Sequence, residues 1–245
     1  MIPIRDTIRS RRPPYVVYAI VALNVLAFVS ELGMGQNELQ RFFLRYGLVP
    51  LRYSSGEIAR HFGVFEQLIP FVSSVFLHGG FMHIIGNMWT LWIFGDNVED
   101  WFGHTRFALF YLFSGVAAGI MHLMFNWGSQ VPTIGASGAV AGVMGAYFLL
   151  YPRARILTLV PILLFVTFVE LPAWVFLGFW FLLQFLSGAA SAAAGAAGGI
   201  AWWAHVGGFA VGAGVVFVLG GGKPRRPAGR RPTMRPLWEK VDEYW

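Results

Sequence analysis

The feature that most constrains the fold is the length of the uncharged stretches. The chain has no Asp, Glu, Lys or Arg from Phe107 to Pro152, and again none from Leu171 to Gly222. Each stretch exceeds twice the ~20 apolar residues that a transmembrane helix needs. The whole chain is 56% hydrophobic and only 12% charged, whereas soluble domains are typically about 25% charged. The sequence therefore predicts a polytopic membrane protein that contacts a lipid bilayer.

The composition also excludes several classes of protein. The net charge is +6, but the basic residues flank apolar segments and do not cluster on one solvated face, so nucleic acid is not a predicted partner. The chain has no cysteine, which excludes disulfides, thiolate catalysis and cysteine-bound metal. No cleavable signal peptide is evident, because the first apolar stretch lacks a small-residue cleavage site. That stretch is expected to remain as a membrane anchor.

Breaks within the apolar segments divide them into six predicted spans. The breaks are the Gly79-Gly80 pair, a turn at Asn126–Pro132 and a Gly-, Ala- and Ser-rich segment, Ser187–Gly199, predicted to be a flexible loop. The mixed segment Glu31–Glu66 is predicted to be a structured loop at the membrane interface, and the short segment Ile156–Val169 is also predicted to be interfacial. The spans are then span 1 at Tyr15–Ser30, span 2 at Phe81–Gly95, spans 3 and 4 around the turn, and spans 5 and 6 around the flexible loop.

Six spans place both termini on one side of the membrane, and the charges indicate which side. Fourteen of the eighteen Lys and Arg residues lie on the side of the termini, and the other four lie in the Glu31–Glu66 loop. The positive-inside rule therefore predicts cytoplasmic termini. The predicted organisation is a basic cytoplasmic N-terminus (1–14), a membrane domain (15–222) and a basic cytoplasmic tail (223–245), in an integral multi-pass protein of a prokaryotic plasma membrane.

A run of small residues around Ser137 has two interpretations. Ser137, Ala141 and Gly145 recur at every fourth position, a spacing that lets transmembrane helices pack closely. The soluble hydrolase signature G-x-S-x-G is not matched, because Ala139 follows Ser137-Gly138. The run alone leaves open whether Ser137 is a packing residue or a nucleophile.

Depth in the membrane bears on this choice. Spans 2, 4 and 6 run in the same direction, and each carries polar residues near its outer end: His83 and Asn87, Ser137, and His205. At 1.5 Å per residue all four lie within about 10 Å of the outer helix ends. Polar residues at membrane depth mark functional interiors by default. An imidazole can activate a serine hydroxyl, and His83 with Asn87, one helical turn apart, can donate to a single oxyanion.

The predicted site has no carboxylate. Glu99 is the nearest acid on span 2, and it lies about 18 Å deeper than Asn87 if the helix continues. Ser137 and His205 must therefore act as a dyad, with His205 oriented by packing or by backbone contacts.

Three motifs at these positions resemble those of the rhomboid family of intramembrane serine proteases. They are His83-Ile84-Ile85-Gly86-Asn87, Gly135-Ala136-Ser137-Gly138 and Ala204-His205-Val206-Gly207-Gly208. They match the family's His-x-x-x-Asn, Gly-x-Ser-Gly and Ala-His-x-x-Gly patterns in order and in the corresponding spans. The resemblance extends over all six predicted spans.

This resemblance implies an all-α, six-helix membrane bundle of the rhomboid type. It implies that Ser137 is the nucleophile, that His205 is the base, and that His83 and Asn87 are oxyanion donors, with neither cofactor nor metal. It further implies that Gly138, Gly208 and Gly212 pack spans 4 and 6 together near the site. The expected substrates are single-span transmembrane proteins, cut near the outer face.

Two other functions are considered beside proteolysis. One is a non-proteolytic rhomboid-like protein that binds transmembrane helices. The other is a cation transporter using His78, His83, His122 and His205, which lacks an accompanying acid at that depth.

The predicted orientation can be tested with topology reporters. A reporter fused after Gly222 should read cytoplasmic, and one inserted between Gly188 and Gly199 should read external, because the basic flanks stay inside. Protease protection of spheroplasts would measure both. The reverse pattern would place Ser137 near the inner face and contradict the orientation.

Overall fold

The computed structural model describes residues 1–162, 165–194 and 201–220. Helices dominate this part of the chain, and the predicted tail 223–245 lies outside it. The elements in chain order are β1 (Ile2–Asp6), α1 (Tyr15–Leu32), α2 (Gln36–Tyr46), α3 (Pro50–Ser54), α4 (Gly56–Ala59), α5 (Val64–Leu68), α6 (Pro70–Ser73), a 3₁₀ turn (Ser74–Phe76), α7 (Phe81–Phe102), α8 (His104–Phe125), α9 (Ser137–Leu150), β2 (Arg155–Ile162), β3 (Phe165–Pro172), α10 (Ala173–Ala193) and α11 (Trp202–Val218).

Helix α9 lies at the centre of the bundle. Its residues from Gly138 to Tyr147 are all buried, and it packs against α7, α8, α10 and α11. A helix that is apolar on every side is typical of such a buried position. Ser137, the first residue of α9, is therefore surrounded by other helices.

Glycines bring α9 and α11 into backbone contact. A Cβ atom added at Gly208 would overlap the carbonyl oxygen of Gly138, and one added at Gly212 would overlap that of Gly142. The predicted packing residues Gly138, Gly208 and Gly212 thus lie in this contact. Close approach of this kind lets van der Waals packing hold helices together in lipid.

Only some of the helices are long enough to cross a membrane by length and composition. Among the described residues, Tyr15–Leu32, His104–Phe125 and Ala173–Ala193 pass that test, and Val64–Phe76 with Phe81–Phe102 form a fourth, bent candidate with an 80° bend. Helices α9 and α11 are apolar but have 14 and 17 residues. The chain has helices at all six predicted positions, and the count of six membrane spans stays a prediction.

The all-α prediction missed a small antiparallel sheet. The segment predicted to be interfacial, Ile156–Val169, lies in the hairpin of β2 and β3, which pairs Leu157 with Glu170. Strand β1 adds to this hairpin, pairing Asp6 with Ile156. The hairpin is rich in Val, Ile, Thr and Phe, which favour strands. The N-terminus is therefore packed onto the bundle.

Two helices extend beyond their predicted ends. Helix α7 continues from Gly95 to Phe102, and in this extension Glu99 accepts hydrogen bonds from the backbone N–H groups of Val16 (3.0 Å) and Val17 (2.8 Å) at the start of α1. Helix α10 continues to Ala193, so the first half of the predicted Ser187–Gly199 loop is helical, since alanine has the highest helix propensity. Residues 195–199 of that loop lie outside the described residues.

The Glu31–Glu66 loop is structured, as short helices, around a buried arginine. The Arg52 guanidinium is 3% exposed, donates to the carbonyl oxygens of Leu44 (2.6 Å) and Glu66 (3.3 Å), and lies 4.0 Å from the centroid of the Phe62 ring. Burial lowers the pKa of Arg52 below its usual range, because the charged form loses hydration.

The close contact between α9 and α11 can be tested with two matched glycine substitutions on α11. Gly212→Ala should lower the melting temperature in detergent, because its methyl group must push α11 away from Gly142, and overpacking typically costs about 1–3 kcal/mol. Gly214→Ala is the control, since a Cβ there meets nothing within 4 Å and alanine favours helix. Equal melting temperatures for the two variants would contradict the packing argument.

Candidate active site

The four residues predicted to carry the chemistry line one cavity. The cavity has a volume of about 900 Å³, and its walls include His83, Asn87, Ser137 and His205. These residues come from α7, α9 and α11. The polar layer inferred from depth is therefore a single concave site, the kind of place where ligands and reactants bind.

Ser137 is held at the N-terminus of α9 by the segment that precedes it. The backbone of Thr133 exchanges two hydrogen bonds with Leu48, and the N–H of Gly135 donates to the carbonyl of Ser74 at 2.8 Å. Gly135 has φ +122°, a conformation that favours glycine. The first N–H groups of a helix have no intrahelical partner and carry partial positive charge. The N–H of Ser137 is thus available to an anion at this site.

The hydrogen bond at Nδ1 makes His83 a donor at Nε2. The backbone N–H of Gly79 donates to His83 Nδ1 at 3.4 Å, so in the neutral ring Nε2 carries the proton. A Cβ atom built on Gly135 would lie 2.6 Å from His83 Nε2 and 3.7 Å from Ser137 Oγ. The Nε2–H group of His83 and the hydroxyl of Ser137 therefore both lie next to Gly135, in the same cavity.

Asn87 supplies a second donor. The residue is 7% exposed, and within the described part of the chain its Nδ2 has no hydrogen-bond partner. A buried polar group without a partner costs about 1–3 kcal/mol, so such groups call for an explanation. An amide N–H₂ group kept free on the wall of the cavity can donate to a bound oxygen.

His205 is oriented by a side chain that the sequence analysis did not identify. His205 Nδ1 lies 2.7 Å from Oε1 of Gln184, on α10. The sequence analysis expected packing or backbone contacts to orient this ring, and the structure adds a side-chain amide. No hydrogen bond joins Ser137 Oγ to His205 in the described residues. Catalytic hydrogen bonds are often long before substrate binds.

The sequence analysis gave no part in proteolysis to three residues near the dyad: Trp180 and His122, which line the cavity, and Gln184, which contacts His205. His122, considered above only as a ligand of the cation transporter, lies on the cavity wall, with Asn126 Nδ2 3.3 Å from its Nδ1. Gln184 could have been identified from the sequence, because it is the one amide in the apolar run from Ala173 to Leu186.

The histidines do not form a metal site in the described residues, where no three His or acidic side chains come together to hold an ion. His78 and His83 do contact each other, with ring centroids 5.0 Å apart. This arrangement gives no support to the cation transporter.

Comparison with known proteins identifies the family. The model of the Rhomboid domain matches residues 65–222. This chain belongs to the rhomboid family. The match includes α7, α9 and α11 and hence all four candidate site residues, and it confirms the family that the three motifs indicated.

Three relatives show how far the similarity extends. Rhomboid protein 1, mitochondrial, of Saccharomyces cerevisiae is 32% identical over 208 residues, which cover 82% of this chain and 52% of the yeast protein. RHOMBOID-like protein 6, mitochondrial, of Arabidopsis thaliana is 40% identical over 75 residues, covering 31% of this chain and 24% of that protein. Rhomboid protease GluP of Bacillus subtilis is 31% identical over 134 residues, covering 54% of this chain and 24% of that protein. The chain thus spans about half or less of the length of each.

These relatives also bear on location. Apolar helices long enough to cross a membrane, together with family membership, make this rhomboid a membrane protein. The relatives named include mitochondrial and bacterial proteins, so they do not support the predicted prokaryotic plasma membrane over other membranes.

Proposed function

We propose that this rhomboid is an intramembrane serine endopeptidase that uses Ser137 and His205. The observation that carries the proposal is the shared cavity, in which a serine at a helix N-terminus and a histidine are accompanied by two N–H donors: the Asn87 amide, which has no partner in the described residues, and His83 Nε2. A relative named as a protease, GluP of Bacillus subtilis, agrees with it.

The site can perform acyl transfer with the groups present. Ser137 Oγ attacks the scissile carbonyl carbon while His205 Nε2 accepts the hydroxyl proton. The carbonyl oxygen becomes an oxyanion, which accepts hydrogen bonds from His83 Nε2–H, Asn87 Nδ2–H and the N–H of Ser137. His205 then gives the proton to the leaving amine, and an acyl-enzyme remains on Ser137. Water, deprotonated by His205, attacks the ester and releases the second product.

The length of α9 favours cleavage below the membrane surface. A helix of 14 residues spans about 21 Å, less than the ~30 Å hydrocarbon core. Ser137 at its start therefore lies within the bilayer if the other end of α9 reaches the opposite interface. This placement supports cleavage within a transmembrane segment. We propose that the substrate enters as a single transmembrane segment and, with six spans and cytoplasmic termini, is cut near the outer face.

A rhomboid-like protein that binds transmembrane helices without cutting them is the competing function. The same cavity could hold an unwound helix segment. The amide of Asn87 favours catalysis, because binding alone would not require a buried N–H₂ group to remain without a partner, within the described residues, in the cavity that holds Ser137.

The proposed nucleophile and base predict the result of two substitutions. Ser137→Ala and His205→Ala should each abolish cleavage of a single-span substrate, because a dyad fails when either member is lost. Cleavage by the purified protein in proteoliposomes would be measured by gel. Thermal melts should show that both variants stay folded, and His61→Ala, which changes an exposed histidine outside the cavity, should cleave normally.

A fluorophosphonate probe separates the possible outcomes. Wild type should be labelled on Ser137, and labelling should survive a metal chelator. A wild-type protein that binds a transmembrane peptide but neither cleaves nor labels would support the non-proteolytic alternative. Normal cleavage by Ser137→Ala would exclude the serine mechanism.

Substitution of either proposed oxyanion donor should cause a partial loss of activity. His83→Ala and Asn87→Ala should each lower kcat by on the order of 10- to 1,000-fold, because each removes one donor to the transition state. Asn87→Asp keeps the shape of the side chain but replaces the donor by a carboxylate, so its kcat should fall further than that of Asn87→Ala. A substrate titration of each variant would give kcat and KM. Full activity of Asn87→Asp would mean that Asn87 does not face the oxyanion.

A further inference from the structure

Gln184 is buried, whereas its neighbours in sequence on α10 are exposed. It is 8% exposed, whereas the flanking Leu183 and Phe185 are each 44% exposed. A polar side chain in a membrane helix avoids lipid and turns toward the protein interior, where it marks function by default. The inward face of α10 thus carries one amide, and that amide contacts His205, a residue of the cavity wall.

The contact between Gln184 and His205 determines which ring nitrogen carries the proton. The amide oxygen Oε1, 2.7 Å from Nδ1 of His205, can only accept a hydrogen bond, so Nδ1 must donate. A neutral ring protonated at Nδ1 has its lone pair on Nε2. That is the tautomer that can take a proton from a serine hydroxyl.

The surrounding rings limit the other motions of His205. Its centroid lies 5.9 Å from that of Trp180, at an interplanar angle of 36°, and 6.4 Å from that of Trp202, at 88°. Aromatic neighbours of this kind restrict tilting of the ring, but they do not distinguish its two nitrogens. Only a hydrogen-bonding group can select the tautomer, and in the described residues Gln184 is the one bonded to this ring.

Two of the three histidines that line the cavity, His83 and His205, therefore have opposite tautomers. Gly79 donates to His83 Nδ1, which leaves a proton on Nε2, whereas Gln184 accepts from His205 Nδ1, which leaves Nε2 free. One ring is prepared to donate to an oxyanion and the other to accept from a hydroxyl. Reversing either hydrogen bond would remove that division of roles.

We infer that Gln184 is a positioning residue for the proposed base, performing with a neutral amide the orienting role that a carboxylate has in a Ser-His-Asp triad. This inference rests on the proposed function. The amide fixes the tautomer and direction of His205 but lacks the negative charge that would stabilise the imidazolium. The titratable groups facing His205 across the cavity are His83 on α7 and His122 on α8, and neither is an acid.

The test compares three substitutions on α10. Gln184→Met has similar length and no acceptor comparable to the amide oxygen, so kcat/KM should fall by on the order of 10- to 100-fold with little change in KM. Gln184→Glu keeps an acceptor and adds charge, so it should retain most activity and move the acid limb of the pH profile to higher pH. Leu183→Met introduces the same residue at the adjacent exposed position and should behave as wild type.

A spectroscopic measurement reads the tautomer without activity. In protein labelled with ¹⁵N-histidine, His205 should show a protonated Nδ1 and an unprotonated Nε2, with its signals assigned by their loss in His205→Asn. Gln184→Met should give a mixture of tautomers. The inference would be overturned if the wild-type protein carried the His205 proton on Nε2. It would also be overturned if Gln184→Met had the rate, pH profile and spectrum of the wild type. A third contrary result is a Gln184→Glu variant that is as impaired as Gln184→Met and whose acid limb is not displaced.

Failure of this inference and failure of the proposed function give different results. A wild-type protein that neither cleaves nor reacts with the fluorophosphonate probe would contradict the proposed function, whatever the tautomer of His205. An active wild type and an equally active Gln184→Met would leave the protease proposal intact and remove the role of Gln184.

Discussion

The contact on which the site depends is the backbone packing of α9 against α11. Each helix carries one member of the proposed dyad near its N-terminal end, Ser137 on α9 and His205 on α11. Because the glycines have no side chains, the two backbones approach closely enough that a Cβ at Gly208 or Gly212 would overlap a carbonyl of α9. In lipid, where burying apolar surface gives little driving force between helices, such close packing supplies much of the association. The same contact that stabilises the bundle therefore brings the proposed nucleophile and the proposed base to one cavity.

Within that cavity, hydrogen-bond direction distinguishes chemically identical side chains. His83 and His205 carry the same imidazole ring, yet His83 accepts a hydrogen bond at Nδ1 from the backbone of Gly79, whereas Nδ1 of His205 lies against the amide oxygen of Gln184. Neither partner is charged. A buried carboxylate at this depth would carry a desolvation cost that a neutral amide avoids. The site thus orients its histidines with neutral groups, in an environment where a charge is costly.

The other end of the bundle is held by groups that the apolar pattern does not reveal. Asp6, on β1, accepts hydrogen bonds from Asn97 Nδ2 at 2.8 Å and from the Tyr147 hydroxyl at 2.7 Å. Tyr147 lies on α9, ten residues from Ser137, so the N-terminal strand contacts the helix that carries the nucleophile. Glu99 likewise joins α7 to the start of α1. These buried carboxyl groups accept hydrogen bonds from donors in distant parts of the chain, as buried polar groups usually do.

The sequence by itself determined the class of protein, the positions of the six apolar helices and the family. Long uncharged stretches have few alternatives to membrane helices, and three motifs at matching depth point to His83, Asn87, Ser137 and His205 as one group. Local pattern could not determine the β2–β3 hairpin, which depends on pairing with β1, or the extension of α10 through Ser187. It also could not assign Gln184 to His205, because the two lie on different helices and only their packing brings an amide oxygen within 2.7 Å of Nδ1. Hydropathy decides which segments enter the membrane, whereas the partner of each buried polar atom is decided only when the helices pack.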